Sequence, residues 1–161
     1  MKIGVISDTH LTGYDGKFKR VLDDHFRAAD LILHAGDLTS ISVLRLFGNK
    51  DVRAVYGNTD TFPVRNHLCD KLVLDVNGFK LGLIHGWGIP APIEENIAGQ
   101  FDRVDCIVFG HTHRPVNKVR DDVLYFNPGS ATCNRFSPYG TVGMLDIGRT
   151  ITGEIIELRG N

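Results

Sequence analysis

Five apolar runs in this chain each stop at residues that are good metal ligands, and that repetition constrains the fold more than any other feature. Lys2-Ile-Gly-Val-Ile6 leads into Ser-Asp-Thr-His10, Leu31-Ile-Leu33 into His-Ala-Gly-Asp37, and Val52-Arg-Ala-Val-Tyr56 into Gly-Asn-Thr-Asp60. Phe79 to Ile84 runs into His85-Gly86, and Cys106 to Phe109 into Gly-His-Thr-His113. Between the first two runs, Phe18, Val21, Leu22, Phe26 and Ala29 fall near helical spacing. Between the next two, Ser40 is placed to cap a helix carrying Val43, Leu44 and Phe47. Strands alternating with helices predict parallel βαβαβ units. Ligands in open α/β sheets gather beyond the carboxyl ends of the strands, so five polar clusters can converge on one site.

The rest of the chain reads differently. Leu72 to Val76, Asn77-Gly78 and Phe79 to Ile84 form a hairpin signature with a favoured two-residue turn. A helix is expected from near Pro92 to about Gln100, proline being suited to a first helical turn. A turn at Asp121-Asp122 joins strand-like segments Val116–Arg120 and Val123–Phe126, and a last hairpin spans Met144 to Leu158. The expectation is a mixed α/β sandwich forming one domain over 1–161, since no repeat, low-complexity tract or linker divides it.

Composition excludes several classes. With 42% hydrophobic and 23% charged residues, the chain is ordinary for a globular protein. A net charge of -1 lacks the basic excess of proteins that hold long nucleic acids by their phosphates. No apolar run nears the roughly 18 residues of a membrane span, and no signal peptide is recognised. Three cysteines without CxxC spacing suggest neither a disulfide framework nor a zinc knuckle, so a reducing cytoplasm is expected. Cys106 reads as a small core residue.

Asp8 and His10, like His111 and His113, are two apart and share a side while the chain stays extended. Adding Asp37, Asn58 and His85 gives an oxygen and nitrogen donor set suited to hard or borderline divalent cations. Without cysteine, a closed structural zinc site is disfavoured. Seven donors exceed the needs of one ion and match two, a centre suited to phosphoester hydrolysis. Alone, Asp-x-His is more often a hydrogen-bonding pair, Gly-Asp and Gly-Asn-Thr-Asp are turn signals, and His85 is a core histidine. Their joint occurrence after five strands carries the argument.

Taken together, DxH, GD, GNTD, H and GHTH resemble the signature of the calcineurin-like metallophosphoesterase superfamily over essentially the whole chain. The size and Asn127-Pro-Gly-Ser130 are similar to its small prokaryotic phosphodiesterase branch, itself similar to a eukaryotic retromer subunit. The resemblance implies two packed mixed sheets flanked by helices, an αββα sandwich, and with no long insertion to form one, no cap domain is expected. It implies one metal on Asp8, His10, Asp37 and His113, a second on Asp37, Asn58, His85 and His111, and Asp37 as bridge. Catalysis is assigned to Asp37, Asn58, His111 and Asp60, around a nucleophilic hydroxide between two divalent ions. Manganese is the foremost expectation, with Fe, Ni, Co or Zn compatible.

One position departs from the family. Thr59 stands where most members carry a histidine thought to assist the leaving group, and a hydroxyl is no acid near neutral pH. Asp60, which pairs with that histidine in the family, is expected to orient Thr59 or a water. The expected substrate is a small phosphodiester, with a homodimer or homotetramer unsurprising. The rivals are an interaction scaffold, as the retromer likeness implies, and a nuclease or cyclic-nucleotide phosphodiesterase using the same centre.

Outside these motifs, His25 and His67 read as surface residues, and His34 as a hydrogen-bonding neighbour of the site. Trp87 lines the pocket or covers core, Arg135 meets phosphate or solvent, and Cys133, which follows a loop expected to border the site, is assigned no role.

Overall fold

The structure, a computed structural model, describes residues 1–88, 93–132 and 139–159. The expectations for Cys133 and Arg135, and the start of the helix at Pro92, lie outside the described residues.

Strands β1 (Lys2–Ile6), β2 (Leu31–His34) and β3 (Asp51–Ala54) pair in parallel, as the βαβαβ pattern predicts. The C-terminal hairpin β9 (Thr141–Ile147) and β10 (Ile151–Glu157) extends this sheet antiparallel to β1, giving the order β10-β9-β1-β2-β3. The second sheet has the order β4-β5-β6-β8-β7, with β4 (Lys71–Val76), β5 (Phe79–Ile84), β6 (Cys106–Val108), β7 (Val116–Arg120) and β8 (Val123–Asn127). Its two hairpins turn where expected. Asn77 and Gly78 have φ of 49° and 86°, and Asp121 and Asp122 have 50° and 62°, the left-handed pairs that tight hairpins need.

Alternation within the strands decides the layers. Ile3, Val5, Leu31 and Leu33 face Leu81, Leu83, Val108 and Phe126 across the sheet interface. Ile6 and Ile32 point the other way, onto Phe18, Leu22 and Phe26 from α1 (Gly16–His25) and the turn after it. On the outer face of the second sheet, Ile93 and Ile97 of α3 (Ile93–Ala98) pack on Ile107, Phe109 and Tyr125. The result is the expected αββα sandwich. Phe126 fits between the sheets because Gly143 and Gly153 have no side chain where its ring lies.

Two elements depart from the sequence reading. The segment capped by Ser40, Ile41–Phe47, is a 3-10 helix ended by Gly48 at φ 59°, longer than the roughly three or four residues usual for that helix. A six-residue helix α2 (Phe62–His67) follows Asp60. It buries only Val64, so no apolar period announces it.

Candidate metal centre

All five polar clusters meet at the carboxyl ends of β1, β2, β3, β5 and β6. The chain there is not extended, as the two-apart spacing supposed. Asp8, His10, Asp37, His111 and His113 all have positive φ, between 47° and 68°, a conformation costing about 1–2 kcal/mol each for residues with a side chain. Strain gathered on the candidate ligands of one place in the fold makes it the candidate functional site.

The donor atoms lie close enough to share ions. His10 Nε2 is 3.1 Å from His113 Nε2, 4.0 Å from Asp8 Oδ1 and 3.9 Å from Asp37 Oδ2. His113 Nε2 is 3.2 Å from Asp8 Oδ1, and His85 Nε2 is 3.4 Å from Asp37 Oδ2. Two ligands on one cation at about 2.0–2.2 Å can be no further apart than roughly 4.4 Å, a limit each of these distances meets. Asn58 Oδ1 sits between His85 Nε2 at 3.1 Å and His111 Nδ1 at 2.9 Å.

Metal-sized groupings fall on Asp8, His10 and His113, and on Asp8, Asp37 and His85. Asp8 is thus near both, but its Oδ2 is occupied by Ser7 Oγ at 2.5 Å and His111 N at 3.1 Å. Its Oδ1 is buried without a hydrogen-bond partner. A buried orphan carboxylate oxygen beside two imidazole nitrogens that face one another is the donor set a divalent cation completes, so the residues fit the metal.

Neighbouring groups hold the imidazoles in place. His85 Nδ1 donates to the Ala35 carbonyl at 2.7 Å and His111 Nε2 to the Gly88 carbonyl at 2.8 Å. Carbonyls only accept, so in the neutral form that a metal would require, Nε2 of His85 and Nδ1 of His111 would be the lone pairs, facing Asn58. Thr59 Oγ1 lies 3.4 Å from His10 Nδ1, leaving His10 Nε2 toward the carboxylates. Asp60 does not orient Thr59: its oxygens accept from the backbone amides of Asp37, Thr39 and Gly57.

Sequence reasoning missed a further set of braces. Ser130 Oγ donates to Asp8 O at 2.8 Å, and Asn127 Nδ2 to Gly110 O at 2.7 Å, so the Asn127-Pro-Gly-Ser130 segment pins two ligand loops together. Gly57 and Gly110 admit this crowding, since a Cβ on either would strike Asp37 Oδ1 or Ser7 Oγ.

Electrostatics follow from burial and pairing. Burial works against an ionised Asp37, yet the hydrogen bond with His85 and the Thr59 amide outweigh it and hold the carboxyl well below its usual range. Burial likewise opposes a charged His85, but Asp37 and the charge of Asp8 raise its pKa above the ordinary histidine value. Burial pushes the Cys106 thiol up to about 12, as suits a core residue. His25 and His67 are outside the site, with His67 Nδ1 on Pro63 O.

His34 is fully buried, with Nε2 3.2 Å from Oγ1 of Thr9, which sits between the candidate ligands Asp8 and His10. Burial lowers its pKa to about 3. The unfolded chain protonates this ring below about pH 6.5, whereas the folded chain does not until about pH 3, so stability falls as pH drops through that window. We expect the loss from this ring to reach about 2 kcal/mol at pH 5. Urea unfolding of chelator-treated His34→Gln at pH 7 and pH 5 should therefore show a shallower decline than wild type by about that amount. Equal declines would contradict it.

The calcineurin-like phosphoesterase superfamily domain matches residues 1–150. A probable metallophosphoesterase of Methanothermobacter thermautotrophicus is 35% identical over 159 residues, covering 97% of this chain and 92% of that one. A phosphodiesterase of Methanocaldococcus jannaschii, MJ0936, is 29% identical over 97% of this chain and 99% of its own. Among solved structures, a novel archaeal phosphodiesterase superposes with a TM-score of 0.76 at 27% identity, covering 98% of this chain and 99% of that one. Vps29 of Entamoeba histolytica complexed with Zn2+ does so with 0.72 at 25%, covering 99% and 100%. Fold, motif order and relatives agree, and the chain belongs to the calcineurin-like phosphoesterase superfamily.

Proposed function

We propose that the chain is a metal-dependent phosphodiesterase with two divalent cations, manganese foremost, working as one domain without a cap. One observation carries the two-metal reading: Asp37 Oδ2 lies 3.9 Å from His10 Nε2 and 3.4 Å from His85 Nε2, a single buried carboxylate between two groups of ligands. Asp8, His10 and His113 would complete the first position, and Asn58, His85 and His111 the second. Two cations held by these residues would supply an acidified water and neutralise phosphoryl oxygens. The protein's part is to hold the donors rigid, through Ala35, Gly88 and Ser130, and to keep Asp37 ionised.

The first test is hydrolysis of bis(p-nitrophenyl) phosphate by metal-stripped protein, with Mn, Ni, Co, Zn and Mg restored one at a time. Turnover that returns with metal supports the proposal. Silence with every metal, despite two bound ions, favours the interaction scaffold, and metal binding alone does not separate the two, since Vps29 of Entamoeba histolytica itself is complexed with Zn2+.

Thr59 sets the leaving-group preference. Its amide donates to Asp37 Oδ1 at 2.8 Å and its hydroxyl faces His10, so it positions ligands and offers no acid. A missing general acid costs about 10²-fold or more where the leaving group is a poor one. Steady-state kinetics should therefore show alkyl diesters falling behind aryl diesters by at least that factor beyond their uncatalysed difference. Parallel rate enhancements for both would sink the assignment.

A further inference from the structure

Beside the candidate metal centre lies an open cavity of about 260 Å³ that shares Asn58 and His85 with it. Trp87, the only tryptophan, lines this cavity as a residue nearly half exposed, and it belongs to none of the three apolar cores of the described residues. A large ring left in water next to a reaction centre offers a face on which another flat ring can stack.

Part of the lining is polar and held in place. Arg65 lies with its guanidinium carbon 5.4 Å from the centre of the Tyr56 ring. Its Nε donates to Asp60 O at 3.0 Å, and its Nη2 to Asn58 O at 2.8 Å and to Gly57 O at 3.4 Å. The guanidinium is thus fixed by carbonyls through Nε and Nη2, which leaves Nη1 as its remaining donor group, and no carboxylate lies within ion-pair distance of it among the described residues. Asp70 lines the same cavity; its Oδ1 accepts from Lys71 N at 2.9 Å, and a carboxylate has acceptor capacity beyond that one bond. A fixed donor and an acceptor around an indole suit the edge and face of a nitrogen heterocycle better than a plain phenyl or alkyl group. The volume is just under the roughly 300–1,000 Å³ of pockets for drug-sized ligands, enough for one base and not for an oligonucleotide.

We propose that this cavity seats the heterocyclic base of a nucleotide phosphoester, stacked on Trp87 and met at its edge by Arg65 and Asp70, while the phosphate lies at the metal centre. The inference rests on the phosphodiesterase reading, since it names the substrate class of that site. Trp87 reports directly on occupancy, because all indole emission comes from it.

Metal-loaded protein titrated with adenosine 5′-monophosphate should show saturable quenching of that emission, with an affinity about tenfold above that for ribose 5-phosphate. By calorimetry, Trp87→Ala should bring the two affinities together, and Trp87→Phe should keep most of the gap. Equal affinities in the wild type, no saturable binding of adenosine 5′-monophosphate, or an unaltered Trp87→Ala affinity would overturn the proposal. The two readings fail separately. Loss of hydrolysis with every metal ends the phosphodiesterase, whereas a base that adds no affinity ends the nucleotide site with hydrolysis intact.

Discussion

Asp37→Asn is expected to lower kcat/KM on bis(p-nitrophenyl) phosphate about 10³-fold and to deplete both metal positions, whereas His10→Ala empties mainly the first. Asparagine matches the shape, and its oxygen can still accept from Thr59 N, so the loop has no steric reason to move. What changes is charge. Asp37 is 2% exposed and its carboxyl is kept ionised by His85 and Thr59 against burial, so a full negative charge sits between His10 and His85. The substitution removes it and points an amide nitrogen at one of them. Metal-ion charge stabilisation is worth several kcal/mol, and about 4 kcal/mol is 10³ in rate. Metal content after gel filtration, measured beside the kinetics, separates loss of ions from loss of chemistry. Two ions retained in Asp37→Asn would defeat the bridging role.

The sequence carried the skeleton of this site and little of its flesh. Ile3, Val5, Leu31 and Leu33 announce strands because burial on both faces leaves long apolar runs, and a strand's end is where such a run meets Asp8, Asp37 or His111. Asn77-Gly78 announces its turn because few residues tolerate φ of 49° and 86°. Backbone handedness at the ligands was illegible: Asp8 at 52° and His10 at 47° converge through left-handed turns, not the extended chain that their spacing suggested. The braces were also hidden. Ala35 and Gly88 act through carbonyls that every residue has, and Ser130 meets Asp8 across a sequence separation of 122. Helix α2 was missed for a related reason, since its contribution to the site is Arg65, a single side chain returning to the carbonyls of Gly57, Asn58 and Asp60. Local patterns report what a segment buries, and these residues act through what they touch far along the chain.

Asp60→Ala should be the most destabilising single change near the site, costing about 4 kcal/mol in the metal-free protein. Asp60 is 5% exposed, and its Oδ2 accepts from Gly57 N at 2.7 Å and Asp37 N at 3.0 Å while its Oδ1 accepts from Thr39 N at 2.5 Å. One carboxylate therefore ties the loop after β2 to the loop after β3, the two that carry Asp37 and Asn58. Hydrogen bonds to a charged group are worth about 1.5–3 kcal/mol each, and alanine leaves three amides without their acceptor; since the three share one side chain the losses do not add fully. Against a typical stability of about 5–15 kcal/mol the variant stays folded at room temperature, and metal binding recovers part of the loss by mass action. Loosened loops should still weaken metal affinity by about 10–100-fold, the usual penalty for removing a group that orients ligands. Urea unfolding with chelator, followed by metal titration of the same preparation, measures both effects. A group that handles protons would behave differently: Asp60→Ala would then keep wild-type stability and metal affinity while one limb of the pH–rate profile disappeared. That result would restore Asp60 to the chemistry, where the sequence first placed it, and remove it from the scaffold.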